Sequence, residues 1–512
     1  MGNDYDDALK TIAKGAGIAF VGLMLNRFLA FLSKIIIARS LSSTEYGILN
    51  LGLAVFSVLV IISLAGVLDG VARYIPYYRS VGDNSRVRGT LYSSIKITLS
   101  ISVIMSTIIF ISATELSEKI FDSEELSDIL RIFSIAIPFW VSTRVFTSAS
   151  IGFKRVDISV AIEALHQIVR IVSIVALLLL GFGIVGVAFG YLLAFVISPF
   201  AGYYLLRKVL PSREHKTKAI DRELLSYSWP LLLASFSIVI LSWTDTLMLG
   251  YFTTEDWVGV YNASINAAEI LAIIGATVGS LLLPIITEFY SNGNFTSIRK
   301  MYKIVTKWIF GLSFPLLLLY FLFSNYILEI LYGLEYTPGS VVLPVLVFGY
   351  FIRRLFLPSD YIIRSVGKTK FIMTVSWITA FINILLNAIL IPLYGIAGAA
   401  ASTTFSSVLF SLANLGYSYK LIGILPFSKR VISSVLAGIV SVAVVHCIAT
   451  LPISDLTVLN IAACLFIYII LYFTLLLVFR YFESEDAIIF KAVEARLGIK
   501  MQILRKLVLK FI

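Results

Sequence analysis

Ala38-Arg39-Ser40-Leu41-Ser42-Ser43-Thr44-Glu45-Tyr46-Gly47 returns later in the chain as Gly250-Tyr251-Phe252-Thr253-Thr254-Glu255-Asp256-Trp257-Val258-Gly259. Gly47 and Gly259 stand 212 positions apart. A second pair of landmarks, Gly183-Ile184-Val185-Gly186 and Gly395-Ile396-Ala397-Gly398, has the same spacing, Gly183 to Gly395 again being 212. Two separate landmarks with one offset indicate an internal duplication. Each is a short joint between long apolar runs, so the duplicated unit is a set of membrane-length segments.

A helix crossing a hydrocarbon core of roughly 30 Å needs about 20 mainly apolar residues. Such runs lie near 15–38, 46–72, 90–112, 129–150, 158–180, 184–206, 226–250, 258–285, 305–325, 340–363, 371–393, 397–419, 430–451 and 457–480, fourteen in all. They are too long, and too free of period-two alternation, for membrane strands. Of the 512 residues 59% are apolar and 14% charged, against about 45–50% and about 25% in a soluble domain. The expected fold is therefore all-α and integral to the membrane. It has two parallel six-helix repeats, 1–210 and 211–425, two extra helices over 426–481, and a tail over 482–512. An even number of spans per repeat brings both copies in from the same side, which relates two lobes by an axis along the membrane normal with a cavity between them.

Loop charge sets the orientation. Even-numbered connections are basic, with Arg73, Arg79, Arg86 and Arg88, then Lys154 and Arg155, then Arg207, Lys208, Arg213, Lys216, Lys218 and Arg222. Arg299, Lys300, Lys303 and Lys307, then Arg364, Lys368 and Lys370, then Lys420, Lys429 and Arg430 continue the pattern. Odd-numbered connections are acidic, as in Glu115, Glu118, Asp122, Glu124, Glu125, Glu255, Asp256 and Glu335. Lys and Arg near span ends mark the cytoplasmic side. A cell-membrane protein with both termini cytoplasmic is expected. The net charge of +11 thus reflects orientation, not nucleic-acid binding. After Phe482, apolar Ile488, Leu504, Leu507 and Val508 interleave with Lys500, Arg505, Lys506 and Lys510. That pattern suits an amphipathic helix on the anionic inner surface or one packed on the protein's own loops.

Enzyme and metal motifs are not found. Gly367-Lys368-Thr369 imitates the end of a phosphate-binding loop, but Ile362 stands where that motif needs glycine. Two cysteines, Cys447 and Cys464, lie inside apolar runs, and the three histidines (His166, His215, His446) share no ligand spacing. The first residues, with Asp4, Asp6 and Asp7, lack a signal peptide's basic start, so the first run is expected to be retained.

Several stretches resemble the polysaccharide flippases of the multidrug/oligosaccharidyl-lipid/polysaccharide exporter superfamily. The Ala38–Gly47 run is similar to that family's opening motif, with Ser42-Ser43 where the family usually has Gly-Pro. Ser242-Trp243-Thr244-Asp245 followed by Gly259-Val260-Tyr261-Asn262-Ala263 resembles its seventh-span landmark. Asn383-Ile384-Leu385-Leu386-Asn387, Ile391-Pro392-Leu393-Tyr394-Gly395 and Gly398-Ala399-Ala400 form the most specific stretch. The resemblance covers nearly the whole chain. It implies movement of lipid-linked sugars across a membrane, without catalysis, by a monomer working beside polysaccharide-assembly enzymes. No cofactor is implied beyond coupling to Na+, H+ or the membrane potential.

Charges inside spans are costly and so face a cavity or a partner. In the front half these are Arg27 and Lys34 at i, i+7, then Arg73, Lys96 and Arg144, with Glu163, His166 and Arg170 on one stripe. One reading is an electropositive cavity for a phosphate-bearing headgroup, since guanidinium offers a rigid fork of donors. It assigns Arg27, Arg73, Arg144, Arg170 and Lys34 to substrate. The competing reading pairs Asp69 with Arg73 and Glu163 with Arg170, and lets Lys34 and Lys96 snorkel to an interface. In the back half, Asp245, Glu269 and Asp360 are candidates for holding a coupling cation or proton. Asn262, Asn266, Asn383, Asn387 and Arg353 either line a polar cavity or join helices by hydrogen bonds. Alternatives to the flippase are a cation-coupled multidrug exporter of the same superfamily, a major-facilitator transporter, and a membrane glycosyltransferase or polymerase. The connection from Arg73 to Arg88 lacks the major-facilitator Asp-Arg-Gly-Arg pattern. The longest outer loop, about Ala113 to Asp128, is short and acidic, unlike the long outer loops of such transferases.

Overall fold

The structure, a computed structural model, describes residues 22, 24–211, 217–449, 458–483 and 486. Among these the chain is helical, with no strand. It divides into two compact units, Met1–Ala263 with Ile384–Ala399, and Ser264–Asn383 with Ala400–Ile512. The first contains α1 (24–40), α2 (Ser43–Leu64), α3 (Val67–Ser80), α4 (Asn84–Phe121), α5 (Leu126–Gly152), α6 (Val156–Leu179), α7 (Gly183–Leu206), α8 (Asp221–Phe252) and most of α9 (Glu255–Ala268). The second contains α10 (Ile270–Ser291), α11 (Phe295–Tyr332), a 3-10 turn (Leu334–Val341), α12 (Leu343–Leu355), α13 (Leu357–Ser365), the larger part of α14 (Thr369–Tyr394), most of α15 (Ile396–Ile422), α16 (Val431–Ala449) and α17 (Val458–Val478). Nine described helices are long and apolar enough to cross a membrane, eleven if each of two bent pairs is one span. The chain is a multi-pass membrane protein. Apart from Phe482, Glu483 and Asp486, the expected tail lies outside the described residues.

The duplicated landmark explains how α2 begins. Ser42 is an N-cap whose hydroxyl accepts from Glu45 N–H at 3.2 Å, while Glu45 Oε2 accepts from Ser42 N–H at 2.9 Å. This reciprocal box satisfies two helix-end donors that lipid could not. Gly47 and Gly259 then let backbones touch: a Cβ on Gly47 would overlap the Glu255 carbonyl oxygen, and one on Gly259 would overlap the Ser43 carbonyl oxygen. Under the 212-residue offset each contact maps onto the other, as a local two-fold requires.

Three expected spans are interrupted. The run at 46–72 breaks where Ala65 (φ 48°) and Gly66 (φ 70°) turn left-handed between α2 and α3. The run at 258–285 breaks at Glu269 between α9 and α10. The run at 340–363 becomes the 3-10 turn, α12 and α13, with a 61° bend after the turn. By contrast α4 and α11 have 38 residues each; α4 is about 57 Å long at 1.5 Å per residue, while α11 is kinked at Phe323. Their excess over the bilayer carries Arg86, Arg88, Glu115 and Glu118 on α4, and Arg299, Lys300 and Lys303 on α11.

In the first unit Val67, Val71, Ile75 and Tyr78 of α3 pack with Val145 and Ala149 of α5, Ile162 of α6 and Leu224 of α8. In the second, tyrosines of and after α17 staple it to α11. Pro315 has no N–H for the Gly311 carbonyl one turn earlier, and the Tyr472 hydroxyl donates to that carbonyl at 2.8 Å. Tyr468 donates to Pro315 O at 3.0 Å and Tyr481 to Lys307 O at 2.5 Å. Tyr472→Phe would leave the Gly311 oxygen buried and unsatisfied, a loss of about 1–3 kcal/mol measurable by thermal unfolding in detergent. An unchanged melting temperature would mean that α11 relaxes around Pro315 without help.

Candidate functional site

The break at Ala65-Gly66 opens a cavity in the first unit. It measures about 380 Å³ and lies between Phe56, Ser57 and Leu64 of α2, Asp69 of α3, Trp140 and Arg144 of α5, and Ser235 of α8. Arg144 is 38% exposed, with Nη1 3.5 Å from Glu163 Oε1 on α6. Its guanidinium lies 5.8 Å from the Trp140 ring centre, and that ring in turn meets the His166 ring at 4.7 Å, tilted by 34°. His166 Nδ1 is 3.1 Å from Ser198 Oγ on α7.

Arg144 and Asp69 are the charged groups on this wall. Arg73, one turn beyond Asp69, turns away from it and lies 4.3 Å over the Tyr227 ring of α8. The intrahelical Asp69–Arg73 ion pair of the competing reading is not formed. Glu163 engages Arg144, not Arg170. Arg170 lies 5.1 Å over Tyr191, with its Nε buried and without a hydrogen-bond partner. Lys96 does not snorkel freely: its Nζ is 2.6 Å from Asp221 Oδ2 on α8. Arg27 is exposed and Lys34 half-buried on α1, and neither lines the cavity.

A second polar cluster lies in the same unit. Asp245 on α8 is buried, and its two oxygens accept from Tyr261 Oη of α9 and Asn387 Nδ2 of α14, each at 2.7 Å. Beside it Thr246 Oγ1 donates to Asn262 Oδ1 at 3.2 Å, and Asn262 Nδ2 donates to Val258 O at 2.9 Å. Of the landmark asparagines, Asn387 holds this carboxylate directly and Asn262 is joined to the adjacent Thr246.

In the second unit Asn383 Nδ2 donates to Thr403 Oγ1 at 3.2 Å, Asn266 is buried and Glu269 is exposed at the α9–α10 break. The seven-residue spacing of Arg353 and Asp360 presumed one helix. Phe356 ends α12 between them, so Asp360 takes Arg364 at 3.0 Å while Arg353 lies 4.7 Å over Phe410. Tyr227 and Trp140 escaped the sequence reading, and Tyr261 entered it only as part of the seventh-span landmark, without a role. Trp140 stands four residues before Arg144, a spacing that could have marked it. Tyr227 gave no local signal.

A family model described as polysaccharide biosynthesis protein matches residues 12–290, more than half of the chain, and a model described as MatE matches residues 230–389. An uncharacterized membrane protein of Methanocaldococcus jannaschii is 23% identical over 480 residues, 90% of this chain and 94% of that protein. A probable low-salt glycan biosynthesis flippase of Haloferax volcanii is 24% identical over 242 residues, 46% of this chain and about half, 51%, of its own length. Among solved structures, a lipid II flippase in an inward closed conformation superposes with a TM-score of 0.70 at 15% identity. The match covers 90% of this chain and 98% of that one.

Proposed function

The chain belongs to the polysaccharide biosynthesis protein family, within the superfamily of flippases and multidrug exporters, and from that premise we propose that its cargo is a lipid-linked oligosaccharide. The headgroup enters from the cytoplasmic leaflet, crosses by alternating access and leaves on the other side, while the lipid tail stays in the bilayer. The observation that carries this reading is Arg144 on the wall of the 380 Å³ cavity. Its planar fork suits a phosphate or pyrophosphate. Glu163 holds that fork at 3.5 Å, so an arriving phosphate competes with Glu163 for the same donors. Capture and release then become an exchange of one anion for another, which suits a carrier that must let go. Arg170, Arg73, Arg27 and Lys34, also assigned to substrate from the sequence, do not line this cavity and add at most a longer-range positive field in this reading.

Transport of a fluorescent pyrophosphate-linked sugar lipid in proteoliposomes tests this. Hydrogen bonds to charged groups contribute about 1.5–3 kcal/mol, so Arg144→Ala is expected to slow transport about tenfold or more. Glu163→Gln is expected to tighten substrate binding and slow release. Full flipping by Arg144→Ala would remove the assignment.

The MatE match over 230–389 favours a second reading, a cation-coupled exporter. Arg144 on the cavity wall opposes a cationic cargo, and Asp69 on the same wall favours one. The two readings share a coupling site, for which Asp245 with its Tyr261 and Asn387 donors is the proposed carboxylate. Asp245→Asn is expected to abolish the dependence of transport on an imposed Na+ or proton gradient. A variant still driven by either gradient would place coupling elsewhere.

A further inference from the structure

The two repeats treat one equivalent position differently. In the first copy Gly183 (φ 52°) opens α7, and a Cβ there would lie 3.6 Å from Glu45 Oε1, the residue of the capping box. Glu45 therefore occupies the space over that glycine. Shifted by 212, the second copy has Trp257 for Glu45, Thr254 for Ser42, Tyr394 for Phe182 and Gly395 for Gly183. Gly395 keeps the left-handed turn (φ 55°), yet nothing lies within 4 Å of where its Cβ would be. The space stands open as a cavity of about 350 Å³, lined by Thr253, Thr254, Trp257, Tyr394, Gly395 and Ile396. Its volume falls within the range of about 300–1,000 Å³ of small-molecule sites.

The lining is specific in kind. Trp257 is 40% and Tyr394 65% exposed, giving the cavity two ring faces and a phenol. The lining adds the hydroxyls of Thr253 and Thr254; the Thr254 hydroxyl donates to the Asp256 carboxylate, which is not itself among the lining residues. No Lys or Arg is among the lining residues, so an anionic headgroup finds no counter-charge, while two threonine hydroxyls and a phenol suit an acyl chain poorly. A neutral pyranose fits both features. Its apolar C–H face stacks on an aromatic ring, and its equatorial hydroxyls donate to the threonine and tyrosine oxygens.

We propose that this cavity is a carbohydrate subsite that takes a neutral pyranose of the translocated glycan at the exit side of the protein. The proposal rests on the flippase reading for the source of the glycan and on the acidic loop Glu255-Asp256 for its side. The second copy has lost the glutamate plug and gained rings, which gives the cargo's uncharged end a place to rest once the phosphate has left Arg144.

The test uses the full chain in lipid nanodiscs and three soluble probes, chitotetraose, maltotetraose and mannotetraose, followed by saturation-transfer NMR and titration. At least one tetrasaccharide is expected to bind, with Trp257→Ala and Tyr394→Ala weakening it about tenfold. Trp257→Phe, which keeps a ring, is expected to retain most of the binding, and Trp257→Glu, which restores the first copy's plug, to remove it. Monodispersity and melting temperature check that each variant folds. Arg144→Ala is expected to lose transport and keep sugar binding, so the cavity and the flippase reading fail separately. Binding by none of the three sugars would overturn the subsite. So would wild-type affinity in Trp257→Ala, since the ring would then belong to the aromatic belt of the membrane interface.

Discussion

Lys307→Ala is expected to destabilise the protein by about 3–5 kcal/mol. Lys307 is fully buried on α11, with Nζ 2.6 Å from Asp486 Oδ2 and 2.9 Å from Glu483 Oε2. The other Asp486 oxygen accepts from Trp308 Nε1 at 2.7 Å, and Glu483 N–H donates to Oδ2 at 2.8 Å. Asp486 is as deeply buried as its partner. Removing the lysine therefore leaves a buried carboxylate with only the Trp308 and Glu483 N–H donors and no counter-charge. The loss should be almost independent of salt, because buried pairs are poorly screened. The control is the paired change Lys307→Met with Asp486→Leu, which removes both charges and keeps the volume. It should recover most of the loss, since apolar replacement of a buried pair is often neutral or stabilising. Thermal unfolding in detergent reads all three proteins. If the double variant melts as low as the single one, the stranded charge is not the cause.

The same lysine shows what the sequence could and could not tell. Among Arg299, Lys300 and Lys303 it reads as one more cytoplasmic loop cation, and its partner lies 179 residues further on. No local pattern joins the two. The membrane class and the duplication were legible because both are local statements, apolar length in one case and a fixed offset in the other. The breaks at Gly66, Glu269 and Phe356 were not, because apolar residues continue through them and only the backbone turns. Arg353 and Asp360 were placed on one face by assuming a helix that Phe356 ends. Arg144, one of the five basic residues assigned to substrate, does line the cavity, yet its partner Glu163 sits on a neighbouring helix. Intramembrane charges announce that they need company. They do not announce whose.

Gly47→Ala and Gly259→Ala should each cost about 1–3 kcal/mol, the usual penalty for forcing atoms into a filled contact. At both positions the added methyl would overlap a main-chain carbonyl oxygen, that of Glu255 or Ser43. A flexible side chain could swing aside, but a carbonyl oxygen moves only with its helix. Relief therefore requires α2 and α9 to separate where they cross. Once the first methyl has separated them, the second meets an open gap, so the double variant should cost clearly less than the sum of the two single ones. Such non-additivity is the mark of two sites sharing one contact. Melting temperatures of the two singles and the double measure it. Additive losses would mean that each methyl is absorbed separately, by local shifts that leave the crossing closed. Non-additive losses would identify the two glycines as a single reciprocal hinge, inherited from the duplication and kept bare by the approach of the two backbones. Proteoliposome transport should then fall in all three variants together, because each has opened the same crossing.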